Sequence, residues 1–193
     1  MNLIKDSYSY WLVAIFLCVL MLLIPLLSDS LSSLLSYQRE SIVTAEYWRL
    51  ISAHFVHLNA NHLFLNCLGL LLVWLIVGDR FKPLEWILLV IVIGLTSSLC
   101  LLFFNPEILN YVGFSGLLHG LLVAGILKHT ESYQDVILLI IVTLKLVYEQ
   151  IYGPIEGSEV LIESSVIVDA HLYGALAGLV YSLLRRGVLK QRL

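Results

Sequence analysis

The sequence predicts an all-α, polytopic membrane protein, with residues 1–193 forming a single domain of six transmembrane helices. The chain is 60% hydrophobic and only 13% charged, and its mean hydropathy of +0.93 is far above that of soluble domains. No polar stretch between the apolar runs reaches the ~50 residues that an independent soluble domain needs. The net charge of −3 comes without a basic patch, so the expected surroundings are the lipid bilayer and no nucleic-acid partner is expected.

Six apolar runs are the candidate spans, because a helix needs ~20 apolar residues to cross a bilayer and fewer where neighbouring helices shelter it. They cover approximately residues 10–27, 58–77, 84–104, 115–128, 136–151 and 170–184. The first run resembles a signal peptide, but it is too long for one and no small-residue cleavage site follows, so we expect it to be retained. The last three runs are short, which predicts a compact bundle around a recessed polar centre.

The positions of Lys and Arg predict the orientation of the spans. Only Arg39 and Arg49 fall on one side of the predicted bundle, and Lys145 lies inside the fifth span. The others fall on the opposite side: Lys5, Arg80, Lys82, Lys128, Arg185, Arg186, Lys190 and Arg192. Both termini are then cytoplasmic, and the second, fourth and sixth spans begin at the outer face. We expect residues 28–49 to form a partly structured outer loop on the membrane, and residues 153–168 to cover the outer end of the bundle.

Strongly polar residues inside the spans are candidate functional residues, because each is costly in lipid unless it faces a cavity or a partner. His62 and Asn66 are four residues apart and share one face of the second span. Ser115 opens the fourth span and His171 lies at the start of the sixth, so all four residues have a similar depth. The N-terminus of a helix favours a developing negative charge, which suits an activated serine and an adjacent oxyanion.

Two stripes of small residues could bring the serine and the histidine together. They consist of Gly116, Gly120 and Ala124 on the fourth span and of Ala170, Gly174 and Gly178 on the sixth. Such stripes allow two helix backbones to approach closely. If the stripes face each other, Ser115 approaches His171, whose imidazole could take the serine proton and return it to a leaving amine.

These motifs resemble the rhomboid family of intramembrane proteases over residues 48 to about 184. The resemblance rests on a Trp48-Arg49 pair and on three patterns in the family's order: His57-x4-His62-x3-Asn66, Gly113-x-Ser115-Gly116 and Ala170-His171-x2-Gly174-x3-Gly178. It implies a six-helix rhomboid-like bundle and a serine endopeptidase with a dyad of Ser115 and His171 and no third acid. It also implies an oxyanion site formed by His62, Asn66 and the backbone N–H of Ser115, with His57, Gly113, Gly116 and His119 in supporting positions.

The chain is also similar to the rhombosortases, a short bacterial subgroup of that family. Residues 113–120 resemble the serine motif of the subgroup, and Lys145-x3-Glu149-Gln150 resembles a polar patch in its fifth span. This resemblance implies exported transmembrane substrates that end in a Gly-Gly motif, one apolar helix and a basic tail. It also implies a place in the bacterial inner membrane with the active site facing the periplasm. His119 replaces an aromatic residue of many rhomboids, and it either supports the ring of His171 or changes the tuning of the dyad.

The residues alone leave several alternatives open. Ser115 could be a helix cap, His62 and Asn66 could hydrogen-bond between helices, and His57 could lie at the water boundary. Lys145 and Glu149 are candidate substrate contacts at a lateral opening, unless the ammonium group of Lys145 only extends towards the interface.

Other classes of function are also considered. A general rhomboid protease with other transmembrane substrates and a non-catalytic binder of membrane helices remain alternatives. A channel would need polar residues through the full depth of the bundle, whereas polarity here stops about halfway, apart from His119 and the patch at Lys145. A zinc site at His54, His57 and His62 lacks the His-Glu-x-x-His spacing, and the three cysteines show no Cys-x-x-Cys pair. The sequence therefore predicts no metal and no cofactor.

Overall fold

The computed structural model describes residues 9–128 and 132–190, with side chains up to residue 186. Three basic groups that contribute to the predicted orientation lie outside this part of the chain: Lys5, Arg192 and the side chain of Lys190. The protein is 79% helical and all-α apart from one pair of two-residue strands, which agrees with the predicted fold class.

Six long helices account for most of the described chain: α1 (Ser9–Leu27), α5 (Ala60–Val77), α6 (Pro83–Phe104), α7 (Ser115–Lys128), α8 (Tyr133–Tyr152) and α10 (Val168–Lys190). Four short helices and two strands lie between them: α2 (Asp29–Leu35), β1 (Tyr37–Gln38), α3 (Arg39–Val43), α4 (Arg49–Ser52), β2 (Asn110–Tyr111) and α9 (Ser158–Ile162). The long helices overlap all six predicted spans, and α10 continues past the predicted end.

Three helical segments of the described chain are long and apolar enough to cross a membrane: Ser9–Leu27, Ala60–Arg80 and Pro83–Phe104. Helix α7 is apolar but has only 14 residues. Helices α8 and α10 are long enough, but they carry charged residues such as Asp135, Lys145 and Arg185. The number of six spans therefore stays a prediction.

Helix α7 lies at the centre of the bundle, where it packs against α5, α6, α8 and, most extensively, α10. Its sequence allows this because small residues alternate with leucines on a helix that is buried on most sides. The interior beside it contains large side chains with almost no exposure, including Trp74, Trp86 and Ile93. Many apolar side chains on the outer surfaces of the long helices are exposed, which suits contact with lipid.

The segment 28–49 is more ordered than the expected loop. Its strand β1 pairs antiparallel with β2, so that Tyr37 is opposite Tyr111. The guanidinium group of Arg49 is buried and donates to the carbonyl oxygens of Ser33 and Ser36, at 2.7 Å each. The pairing of β1 with β2 attaches the outer segment to the loop that leads into α7, and the contacts of Arg49 hold the outer segment together.

Candidate active site

The loop before α7 holds Ser115 at the first position of the helix. Gly113 has φ +120°, a conformation that side chains disfavour, and a Cβ there would lie 2.7 Å from the His62 ring. Its backbone N–H donates to the carbonyl oxygen of Ala53, and the hydroxyl of Tyr111 donates to its carbonyl oxygen at 2.9 Å. Burial raises the pKa of the Tyr111 phenol, so this hydroxyl remains a neutral donor. The glycine thus allows the His62 ring and the serine loop to meet.

The two stripes of small residues face each other across α7 and α10, as their spacing predicts. A Cβ on Gly116 would lie 2.7 Å from the carbonyl oxygen of Ala170, and a Cβ on Gly174 would overlap the carbonyl oxygen of Gly116. Only glycine permits this approach. It brings the Oγ of Ser115 to 2.9 Å from the Nε2 of His171.

The other ring nitrogen of His171 contacts an acid, a contact that the dyad implied by the resemblance does not include. Its Nδ1 lies 2.9 Å from the Oε2 of Glu149. Both side chains are buried, with 5% of His171 and 3% of Glu149 exposed. The sequence presented Glu149 as a candidate substrate contact, but the structure turns its carboxylate inwards onto the histidine. The side chains of Ser115, His171 and Glu149 therefore form a continuous series of contacts.

Lys145 is also turned inwards and does not extend towards the interface. Its Nζ lies 2.7 Å from the Oε2 of Glu149 and 2.7 Å from the Nε2 of His119. The Nδ1 of His119 in turn lies 2.7 Å from the carbonyl oxygen of Ser115. The rings of His119 and His171 are stacked, with 4.5 Å between centroids. Of the two predicted alternatives for His119, this contact favours support of the histidine ring.

His62 and Asn66 are buried on the wall of the same cavity as Ser115. The backbone N–H of Leu58 approaches the Nδ1 of His62 at 3.5 Å, so Nε2 is left to carry the proton and to donate. The amide nitrogen of Asn66 donates within its own helix, to the carbonyl oxygen of His62. The two side chains are thus beside the serine, and the amide of Asn66 keeps a second N–H that this bond does not use.

His57 lies beside His62, with 5.1 Å between ring centroids. Burial, and to a lesser extent the neighbouring His62, lower the pKa of His57 to about 3, so its ring is neutral. Its ring nitrogens are buried, but the residue as a whole is only half-buried, so its expected place at the water boundary stays a prediction. The ring of His57 packs against that of His62.

A cavity of about 650 Å³ lies over these residues. Its polar lining includes Ser115, His171, His62, Asn66, His119, Lys145 and Glu149, together with Ser36, Asn110, Ser158, Ser164 and Ser165. Much of the remainder is apolar, including Leu58, Leu65, Val112, Leu118, Ile155 and Ile162. The segment 153–167 with helix α9 covers one side, as expected for a cap. The side-chain amide of Asn59 donates to the carbonyl oxygen of Ile162 at 2.6 Å and attaches this cap to the start of α5.

Two histidine clusters could suggest a metal. The first, considered from the sequence, is divided by the fold, because the Nε2 of His54 bonds Gly94 and Ser98 within the bundle, away from His62. The second consists of His119, Glu149 and His171, whose potential ligand atoms lie within 4.8 Å of one another. The ammonium group of Lys145 contacts all three residues of this second cluster, so a cation is already supplied by the chain.

Comparison with known proteins supplies one match. The family model of the rhomboid domain matches residues 44–187, which include Ser115, His171, His62 and Asn66. No curated protein sequence matches the chain.

Proposed function

The chain belongs to the rhomboid family, and we propose that it is an intramembrane serine endopeptidase with Ser115 as its nucleophile and His171 as its general base. Rhomboid proteins are generally serine proteases that act on transmembrane substrates within the lipid bilayer. The observation that carries the proposal is the distance of 2.9 Å between the Oγ of Ser115 and the Nε2 of His171. At that distance a neutral imidazole can accept the proton of the hydroxyl group.

The proposed reaction is acyl transfer to serine. The hydroxyl proton of Ser115 passes to the Nε2 of His171 while Oγ attacks the carbonyl carbon of the peptide bond. The backbone N–H of Ser115, the Nε2–H of His62 and the amide of Asn66 donate to the oxyanion that forms. His171 then gives its proton to the leaving amine, and water releases the acyl group by the same steps.

In the proposed arrangement the six long helices are six spans, and both termini face the cytoplasm. The active site then opens to the periplasm of a bacterial inner membrane. Support comes from the basic residues Lys128, Arg185 and Arg186, which lie near one another at the end of the bundle opposite to Ser115. The positive-inside rule places that end in the cytoplasm.

Substrate helices are proposed to reach the cavity between α5 and α8. Each of these helices packs against α7, but they make little contact with each other within the described residues. Leu65 from α5 and Lys145 from α8 both line the cavity, so a peptide between the helices would lead to Ser115. Glycines near the cleaved bond would ease this step, because they weaken a substrate helix.

The proposed substrates are those of a rhombosortase: exported proteins that end in Gly-Gly, one apolar helix and a basic tail. The apolar part of the cavity wall suits the apolar helix that follows the Gly-Gly motif. A general rhomboid protease that cleaves other transmembrane proteins is the alternative. The hydrogen-bonded serine and histidine favour either enzyme over a non-catalytic helix binder, which has no need of an activated hydroxyl group.

Serine-directed labelling tests the reaction class. We expect a fluorophosphonate probe to label the detergent-solubilised protein, and the Ser115→Ala variant to remain unlabelled. Ser165→Ala is the matched control, because Ser165 lines the same cavity but has no hydrogen bond to a histidine, and it should be labelled like the wild type. Folded wild-type protein that takes no label would exclude the enzyme.

A co-expression experiment tests the substrate. An exported protein that carries the Gly-Gly, helix and basic tail should lose the tail with the wild-type enzyme and keep it with Ser115→Ala. Exchange of the Gly-Gly motif for Leu-Leu should protect the tail. If the tail persists with an enzyme that is labelled by the probe, the general rhomboid activity is favoured over the rhombosortase.

A further inference from the structure

Glu149 is a buried carboxylate beside the cavity, and the proposed acyl transfer by Ser115 and His171 does not by itself require it. Only 3% of the residue is exposed. A lone carboxylate in such a place is costly unless it is paired and hydrogen-bonded. The contacts of Glu149 therefore indicate what it does.

We propose that Glu149 is the positioning member of a Ser115–His171–Glu149 triad, and that Lys145 and His119 close this triad into a ring of hydrogen bonds. The proposal rests on the proposed serine protease function and deepens it. The ring begins at the Oγ of Ser115 and returns to the carbonyl oxygen of the same residue. Each of its five contacts measures between 2.7 and 2.9 Å.

The chemistry of Lys145 determines which groups donate and which accept in one half of the ring of hydrogen bonds. An ammonium group donates hydrogen bonds and cannot accept them. The Nε2 of His119 must therefore accept from Lys145, and the proton of this neutral ring is on Nδ1. That nitrogen faces the carbonyl oxygen of Ser115, which can only accept. Donors and acceptors thus alternate from Lys145 to the serine backbone without conflict.

The carboxylate of Glu149 determines the donors and acceptors in the other half of the ring of hydrogen bonds. An ionised carboxylate only accepts, so the Nδ1 of His171 must carry the proton and donate it. The Nε2 of His171 is then unprotonated and accepts from the hydroxyl of Ser115, as a general base requires. Lys145 lies 3.3 Å from the Nδ1 of His171, but both groups are donors in this arrangement, so that contact is not a hydrogen bond.

The ring also explains why two charged side chains are held inside the bundle. Lys145 balances the charge of Glu149, and its second bond, to His119, prevents the pair from turning away from His171. When His171 takes the proton of Ser115, it becomes an imidazolium ion, and the adjacent carboxylate stabilises the positive charge. The Nδ1 proton stays on the ring throughout, so Glu149 gains and loses no proton.

The test uses the Glu149→Gln variant of the full chain. The amide can donate to Nδ1, which allows the tautomer of His171 with its proton on Nε2, and this tautomer cannot accept from Ser115. We expect labelling of Ser115 by a fluorophosphonate to become slower by on the order of 100- to 10,000-fold, as for triads whose acid is neutralised.

Asp135→Asn is the matched control. Asp135 is on the same helix, is equally buried and pairs with Arg80 at 3.1 Å, but it is remote from the cavity. Its labelling rate should remain within about threefold of the wild type. If the loss in Glu149→Gln came only from disturbed packing of a buried side chain, Asp135→Asn would show a similar loss.

Nitrogen-15 NMR of the histidines supplies a readout that does not depend on the variant's stability. We expect His171 in the wild type, assigned by its loss in His171→Asn, to be neutral with its proton on Nδ1. A proton on Nε2 would overturn the proposal, as would equally fast labelling of wild type and Glu149→Gln. If even the wild type takes no label at Ser115, the proposed protease function fails first, so the two failures are distinguishable.

Discussion

The imidazole rings of His119 and His171 lie nearly parallel, with 4.5 Å between their centroids and 23° between their planes. His119 thus covers one face of the histidine that contacts Ser115, while its two nitrogens hold Lys145 and the serine backbone. Stacking and hydrogen bonding come from a single side chain. They can be separated by substitution.

His119→Phe should keep the stacked ring and lose both hydrogen bonds. The ammonium group of Lys145 and the carbonyl oxygen of Ser115 each lose a partner, which costs about 1–3 kcal/mol for a buried group. We expect labelling of Ser115 to be about 10-fold slower in His119→Phe and slower still in His119→Ala, which also loses the ring. Equal rates in the two variants would show that stacking contributes nothing.

Gly174→Ala should separate α7 from α10. The added methyl group would overlap the carbonyl oxygen of Gly116, and overpacking of this kind costs about 1–3 kcal/mol or more. We expect a lower unfolding temperature in detergent and at least about a 10-fold loss of activity, because the hydrogen bond between Ser115 and His171 lengthens. Gly69→Ala is the control, since its methyl group meets only the end of the flexible Leu118 side chain, and it should retain activity.

Asn66→Ala should lower kcat by about 100- to 1,000-fold and leave KM almost unchanged, because an oxyanion donor acts mainly in the transition state. Cleavage kinetics of a transmembrane substrate in proteoliposomes measure both constants. Asn61→Ala, an exposed asparagine on the same helix, should behave like the wild type. A rise in KM at constant kcat would instead assign Asn66 to substrate binding.

Asn59→Asp should loosen the cap over the cavity without disturbing α5. The remaining carboxylate oxygen can still accept from the backbone N–H of His62, as the asparagine does at 2.9 Å, but the donor to Ile162 is lost. One hydrogen bond is worth about 0.5–1.5 kcal/mol, so labelling of Ser115 should become about 2- to 10-fold faster. An unchanged rate at unchanged stability would mean that this bond does not limit access.

Much of the site could be predicted because its residues mark helix starts. A serine after a glycine and a histidine at the opening of another apolar run can be located by hydropathy alone, and stripes of glycine show which helix faces meet. Ser115, His171, His62 and Asn66 lie together for this reason. Gly116 contacts Ala170 and Gly174, so the two stripes of small residues face each other.

The role of α8 could not be predicted, because hydropathy does not fix the rotation of a helix about its axis. Lys145 and Glu149 share one face through their spacing of four residues, but that face could point to a lateral opening or to the bundle centre. The structure places it at the centre, against His171. Likewise, the pairing of β1 with β2 joins two-residue strands that are too short to show any period in the sequence.

The 14 residues of α7 also have a consequence for the depth of Ser115. A helix of that length rises about 21 Å, whereas the hydrocarbon layer of a bilayer is ~30 Å thick. In the proposed six-span arrangement, with Lys128 at the inner boundary of that layer, Ser115 would therefore lie below the level at which acyl chains normally end. The longer helices α5, α6, α8 and α10 surround α7 and separate the serine from the acyl chains, so the cavity is its route to water.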